Sequence, residues 1–421
     1  MEKGIALKSF HLLAENVETE VEMKEVLQLV FYTLIAPFGD HEVKENIEYT
    51  RSTFFKEFPS EAKVLWATVI KYAHFRKTNP FYYDDHDTER LSKAKEEENI
   101  FIRQCLDSRD ISLNIANIHL TEYEPYLLFR AFLITPYNSQ DEMFSLFIKK
   151  IVSIIAEELQ LEEDRYYSRR SRQREISRHE VVNSEPYLAD ILLNSDIEFS
   201  KEIFNLLLRP ILHSSKSSPF TANELYKFIK GTLDFIVLKI LDRGNLNPLP
   251  SNFSQQLEKF WEIWEHLFTI LKVSDEKPFI STLLFNVHFL LYDYYGKPIE
   301  GQWKALEDKK EFYYTMVKEV GENHVDTIMN VFSIIGEKAF LPQGLTWIVD
   351  LLKKNPTEKI ALINHSGERL IKKLFYNHIS TVKGNKKLID DFICLLNEMV
   401  DLGSSSAYLF RENVITYKSR N

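Results

Sequence analysis

The chain has 421 residues, 44% of them hydrophobic and 27% charged, which is enough for two or three compact units or one extended array of ordinary globular composition. Its formal charge of -10, from 52 basic and 62 acidic residues, repels nucleic acid and anionic membrane at long range, so any such binding has to be local. Only 12 glycines occur, where average usage of about 7% gives roughly 29, and this shortage disfavours Rossmann-like and all-β folds, whose turns and phosphate loops need backbone at positive φ.

The opening "MEKGIALKSFHLLAEN" lacks the apolar core and cleavage site of a signal peptide and reads as an amphipathic helix. No stretch approaches about 18 consecutive apolar residues, so no membrane span is expected and the protein reads as soluble. In "ETEVEMKEVLQLVFYTLIAPF", Met23, Val26, Leu27, Val30, Phe31, Thr33 and Leu34 keep the three-and-four spacing of a buried helical stripe. "SEAKVLWATVIKYAHFRKT" repeats it with Val64, Leu65, Thr68, Val69, Tyr72 and Phe75, and Ser60 is placed to cap the first turn. A further helix is expected to begin at Thr88, and a long one to run from about Gln140 to Leu161 with acids at its start, where they favour the dipole.

Composition then changes in "EEDRYYSRRSRQREISRHE", which is rich in arginine and poor in apolar side chains. It reads as a linker or exposed loop and divides the chain into an N-terminal helical region 1–164, the segment 165–182 and a C-terminal helical-repeat region 183–421. Helical patterning resumes after "NSEPYL", with loops expected at "HSSKSSP" and "RGNLNPLPSN" from their turn chemistry. From Ser254 the helices recur in pairs, with nominal starts at Ser254, Trp303, Pro342 and Asn385 spaced by 49, 39 and 43 residues. That spacing suits HEAT or armadillo hairpins of about 40 to 47 residues, each needing its neighbours to cover an apolar face. The fold class is therefore all-α, a HEAT-like or irregular α-solenoid of stacked helical hairpins.

The segment "HVDTIMNVFSIIGEKAFLPQGLTWIVDLL", with Phe340, Leu341, Pro342, Gly344 and Trp347, resembles the helical-repeat tail of large bacterial ATP-binding proteins of the STAND type, as does "LLNEMVDLGSSSAYLFRENV". The resemblance covers roughly the last quarter of the chain. It implies a sensor scaffold that binds a partner, with nucleotide hydrolysis and effector activity in separate domains. No G-x-x-x-x-G-K-[ST] loop is present, since "VKGNKK" and "GKPIEG" lack the spaced glycines, so ATPase activity is not carried over.

Three local constellations have a chemical reading beside a structural one. In "YYDDHDTER" the His86-Asp87 pair matches part of the H…HD…D ligand set of helical metal-dependent phosphohydrolases, with His74 as an earlier ligand and Asp107 or Asp110 as a later one. The structural reading makes Asp87 an N-cap, with Asp84, Asp85 and Glu89 at the positive end of the helix that follows. Arg165, Arg169, Arg170, Arg172, Arg174 and Arg178, with Tyr166 and Tyr167, offer phosphate donors beside aromatic faces that stack on bases; alternatively they offset the carboxylates of Glu157, Glu158, Glu162, Glu163 and Asp164. "FWEIWEHLFTIL" reads as a packed stripe of Phe260, Trp264, Leu267, Phe268 and Leu271 rather than a ligand cage. The only cysteines, Cys105 and Cys394, sit among apolar neighbours and read as reduced core residues, which makes a cytoplasmic location the default.

The functional expectation is a non-catalytic scaffold that binds a protein partner, as a sensor or adaptor in bacterial defence or signalling, without a cofactor. The alternatives are nucleic-acid binding through the arginine segment and a metal-dependent phosphohydrolase built on His86 and Asp87.

Overall fold

The computed structural model describes residues 20–35, 47–48, 50–78, 88–118, 125–135, 141–165, 184–212, 224–244, 246, 248, 250–274, 277–292, 312, 315–316, 319, 386–401 and 405–420. All regular structure among them is helical. The chain divides into two compact units, Met1–Phe235 and Ile236–Asn421.

In the first unit, α1 (Glu20–Ile35) buries Met23, Val26, Leu27, Val30, Phe31 and Leu34, the stripe expected from their spacing. Helix α2 (Pro59–Thr78) differs from expectation at its start. Pro59 opens the helix, so Ser60 lies inside the first turn and does not cap it. Proline has no N–H to leave unpaired there, and entry is fixed instead by the Ala62 N–H donating to the Phe58 carbonyl at 2.9 Å. Burial of α2 is also wider than one stripe: Ala62, Trp66, Ala67, Ile70 and Ala73 join the expected positions. The reason is that α1, a π-helical turn, Thr50–Phe54, and the helices over Thr88–Ser108 and Pro125–Leu133 all pack on this one helix.

Helix α3 (Thr88–Ser108) starts at the residue expected and turns Ile102 and Leu106 inward. Between α2 and α3, Phe75 stacks on Phe101 with centroids 4.3 Å apart, and Glu98 accepts from the Tyr72 hydroxyl while Arg76 lies 3.5 Å away. The helix ends where Arg109 takes a left-handed backbone conformation (φ 51°), a place usually held by glycine. Asp110 secures the turn: its Oδ2 accepts from Lys71 Nζ at 2.8 Å and its Oδ1 from the Ser112 N–H at 3.0 Å and hydroxyl at 2.7 Å. The hydrogen bond from Lys71, then those from Ser112, hold its carboxyl well below the usual range.

Helix α4 (Pro125–Leu133) carries the buried Arg130, whose Nη1 donates to the Leu34 carbonyl at 2.7 Å in the last turn of α1. This satisfies a carbonyl with no intrahelical donor and places positive charge at the negative end of the α1 dipole. Helix α5 (Glu142–Arg165) runs four residues beyond the expected Leu161. Asp141 caps it, taking the Met143 N–H at 3.2 Å, and pairs with Lys63 of α2 at 2.8 Å. Across the same contact the Trp66 indole meets Phe144 and Phe147 edge-on, with centroids 4.5 and 5.2 Å away. Its Nε1 donates to Thr135 Oγ1 at 3.0 Å, which in turn donates to the Ala131 carbonyl at 2.8 Å.

After the arginine segment come α6 (Glu185–Asn194), α7 (Ile197–Leu212) and α8 (Glu224–Gly244). Asp196 caps α7 by accepting the Phe199 N–H at 2.8 Å, and Ser200 Oγ donates back to the Leu192 carbonyl of α6 at 2.9 Å. Helix α7 packs on α5, where Lys149 pairs with Glu202 at 2.5 Å.

In the second unit, α9 (Phe253–Ser274) and α10 (Lys277–Tyr292) pack together. Phe260, Trp264, Leu267, Phe268 and Leu271 are all buried, and Phe260 stacks on Trp264 at 4.0 Å, which agrees with a packed stripe. Helices α11 (Lys386–Asp401) and α12 (Ser405–Arg420) form a second packed pair through Leu396, Ala407, Phe410 and Val414. The nominal unit starts at Trp303 and Pro342 lie outside the described residues.

Trp66 joins α2 to both α4 and α5, so its truncation reads the strength of that junction. Trp66→Ala is expected to cost about 3–5 kcal/mol by cavity formation. Trp66→Phe keeps a ring but strands Thr135, and should cost about 1–2 kcal/mol. Urea denaturation followed by far-ultraviolet circular dichroism checks both values and their order.

Candidate functional site

Of the residues singled out in the sequence for chemistry, most lie outside the described part of the molecule: His86, Asp87, Tyr166, Tyr167, Arg169, Arg170, Arg172, Arg174 and Arg178. Arg165 is the last residue of α5. The further ligands proposed for His86 and Asp87 are described, and Asp107 and Asp110 are engaged in structural contacts. Asp107 pairs with Lys24 at 3.4 Å, Asp110 is held by Lys71 and Ser112, and His74 is exposed. No group of three or more His, Cys, Asp or Glu able to hold a metal ion occurs among the described residues. Cys105 and Cys394 form no disulfide and are half-buried rather than core residues, and burial pushes the Cys105 thiol upward, away from reactivity.

The unusual electrostatics of the first unit lie elsewhere, at the N-terminal end of α6. Ser184 precedes that helix, Glu185 is its first residue and Pro186 follows, and the Tyr187 and Leu188 N–H groups both donate to the Ser184 carbonyl at 3.0 Å. This geometry turns the Glu185 side chain inward, to 5% exposure. Its Cγ and Oε1 lie 3.2 Å from the point where a side chain on Gly231 of α8 would begin. A carboxylate fits there because Gly231 has no Cβ.

Only its own backbone N–H helps the carboxylate charge, and Oε2 has no hydrogen-bond partner. Loss of solvation therefore dominates and raises the Glu185 carboxyl to about 7. Two residues on, the Tyr187 ring carries the Arg51 guanidinium at 4.4 Å, and its hydroxyl lies 3.4 Å from Glu48 Oε2. Burial first, and then the Glu48 charge, push the Tyr187 phenol up to about 12. Arg51 comes from the π-helical turn, whose Thr50 and Phe54 are also buried. The cluster joins three elements: the π turn, α6 and the unit 1 part of α8.

No family model and no curated protein matches this chain. The chemistry of the cluster is therefore read from its own groups. Glu185 exchanges a proton near neutral pH, while Tyr187 keeps its proton throughout that range. Arg51 lies over the aromatic face, an arrangement that holds its charge in a desolvated setting.

Nothing in the local sequence marks Glu185 as buried, because a Ser-Glu-Pro step reads as an ordinary helix start. The partner did leave a signal. Gly231 interrupts the helical pattern "YKFIKGTLDF" in a chain with only 12 glycines, and an isolated glycine inside a helix marks a close approach.

The contact predicts a change of sign. Helix propensity alone favours Gly231→Ala by about 0.8–1 kcal/mol. With Glu185 in place the new Cβ meets the side chain at 3.2 Å, and a net loss of stability is expected. In a Glu185→Ala background the same substitution should stabilise by about 1 kcal/mol, which a double-mutant cycle in urea measures.

Proposed function

We propose that the chain is a non-catalytic helical-repeat scaffold, HEAT-like or an irregular α-solenoid, that binds a protein partner. Support comes from the way helices adjacent in sequence pair with one another, as α6 with α7, α9 with α10 and α11 with α12. Such hairpins are the units from which stacked arrays are built, and arrays act through side chains spread over an outer surface. A sensor or adaptor role in bacterial defence or signalling is part of this proposal through the resemblance to STAND tails, whose Phe340, Leu341, Pro342, Gly344 and Trp347 lie outside the described residues. No helix among the described residues is long and apolar enough to cross a membrane.

The observation that carries the reading is the distribution of apolar side chains on α12. Ala407, Phe410 and Val414 face α11 and are buried, yet Tyr408, Leu409 and Ile415 are 47%, 67% and 40% exposed on the same helix. Tyr408 and Ile415 stand two turns apart on one line, so they form a ridge rather than scattered exposures. Single exposed apolar residues need no explanation, but three on one short helix support the reading of a surface for another protein.

A photo-crosslinking residue at Leu409 should therefore give a discrete adduct in extracts of the native host, and the same residue at the exposed Glu262 of α9 should not. Tyr408→Glu with Ile415→Glu should weaken adduct formation by about tenfold or more. A Leu409 probe that captures nothing discrete, or that captures as well in the double variant, sinks the proposal.

A further inference from the structure

Beyond partner binding, we propose that the contact between Glu185 on α6 and Gly231 on α8 is a proton-controlled seat, closed while Glu185 holds its proton and loosened when Glu185 ionises. The carboxyl is 5% exposed, its Cγ and Oε1 are within 3.2 Å of the Gly231 Cβ position, and its Oε2 has no hydrogen-bond partner. A neutral carboxyl tolerates that position at modest cost, whereas an ionised one loses its hydration without compensation.

The charged groups on the surrounding elements are engaged with one another. From the π turn, Arg51 lies over the Tyr187 ring, and Glu48 lies beside the Tyr187 hydroxyl. On α8, Lys227 pairs with Glu224 at 2.8 Å and Lys230 with Asp234 at 2.5 Å. On α7, Lys201 pairs with Glu198 at 3.0 Å, and Glu202 pairs with Lys149 of α5. On α6 itself, the other titratable groups are Tyr187 and Asp190. The Glu185 backbone N–H favours the ionised form, but burial outweighs it.

The direction follows from linkage. A carboxyl that titrates at about 7 when seated and 4.5 when free is protonated in both states below 4.5, where its titration takes nothing from stability. Between 4.5 and 7 the free state gives up the proton first, so opening is favoured progressively as pH rises, and the effect levels off above 7. Between pH 6 and pH 8 the opening equilibrium should rise about tenfold.

Hydrogen exchange of the intact chain tests this, with rates corrected for the intrinsic pH dependence of amide exchange. Protection of amides in α6 and around Gly231 should fall about tenfold from pH 6 to pH 8 in the wild type, and that of α9 should stay level. Glu185→Gln keeps the shape and removes the titration, so its α6 protection should change by less than about twofold over the same range. Glu185→Met, apolar and of similar size, should give the same flat profile and serves if the glutamine variant folds poorly. A flat wild-type profile, or a wild-type-like fall that persists in whichever variant folds, overturns the proposal.

Discussion

The indole of Trp66 fixes how the first unit is assembled, and much of that unit's order depends on it. It stands on α2, meets two phenylalanines of α5 edge-on and donates its one N–H to Thr135, just past α4. Edge-on aromatic contacts constrain both distance and angle, and the hydrogen bond constrains rotation about the ring, so three elements are positioned by a single side chain. Thr135 passes the bond on to Ala131, which leaves no polar atom of this junction unpaired in an apolar setting. Moving any of these helices would strand a donor and open a gap together, and the two costs reinforce one another.

Helical contacts elsewhere in the chain are ranked by burial in the same way. Arg130 bonds the Leu34 carbonyl inside the core, and Ser200 bonds Leu192 in a fully buried position, so each specifies which helix end meets which neighbour. Lys201 with Glu198, or Arg411 with Glu412, lie at the surface and are screened by solvent, and pairs of that kind add little. The Lys63–Asp141 pair falls between these cases. Burial pushes the Asp141 carboxyl up, yet Lys63 and the two N–H groups it caps bring it below its ordinary value, so net charge is retained in a half-buried place.

How much of this was legible in the sequence depended on whether the cause was local. The stripes of α1 and α9 are properties of a single helix, and their spacing gave Phe260 to Leu271 and, apart from the half-buried Thr33, Met23 to Leu34 correctly. The all-round burial of α2 is a property of its neighbours, so Trp66 escaped the stripe assigned to that helix although it is fully buried. Ser60 was a reasonable cap by residue type, but Pro59 beside it is pre-organised for the first turn and took the start of the helix. The α5 helix runs past Leu161 to Arg165, and its contacts with α7 beyond the arginine segment and with α4 before it are not written in local periodicity. Among the candidate ligands, Asp107 and Asp110 looked available only until Lys24 and Lys71 were brought to them from other helices.

Glu185 is the case where magnitude decides against a local rule. An acid in the first turn of a helix gains about 0.3–1 kcal/mol from the exposed N–H groups, which predicts a lowered pKa. Its position in the fold raises the value from 4.5 to about 7 instead, a differential of roughly 3 kcal/mol against the charged form. The helix end is thus outweighed severalfold by the loss of water, at a side chain that lies against a glycine on a different helix. A glutamine would sit in the same space without that cost near neutral pH. What the acid supplies and the amide does not is a response to pH in the range where cells operate, at a point where a side chain on Gly231 would press against it.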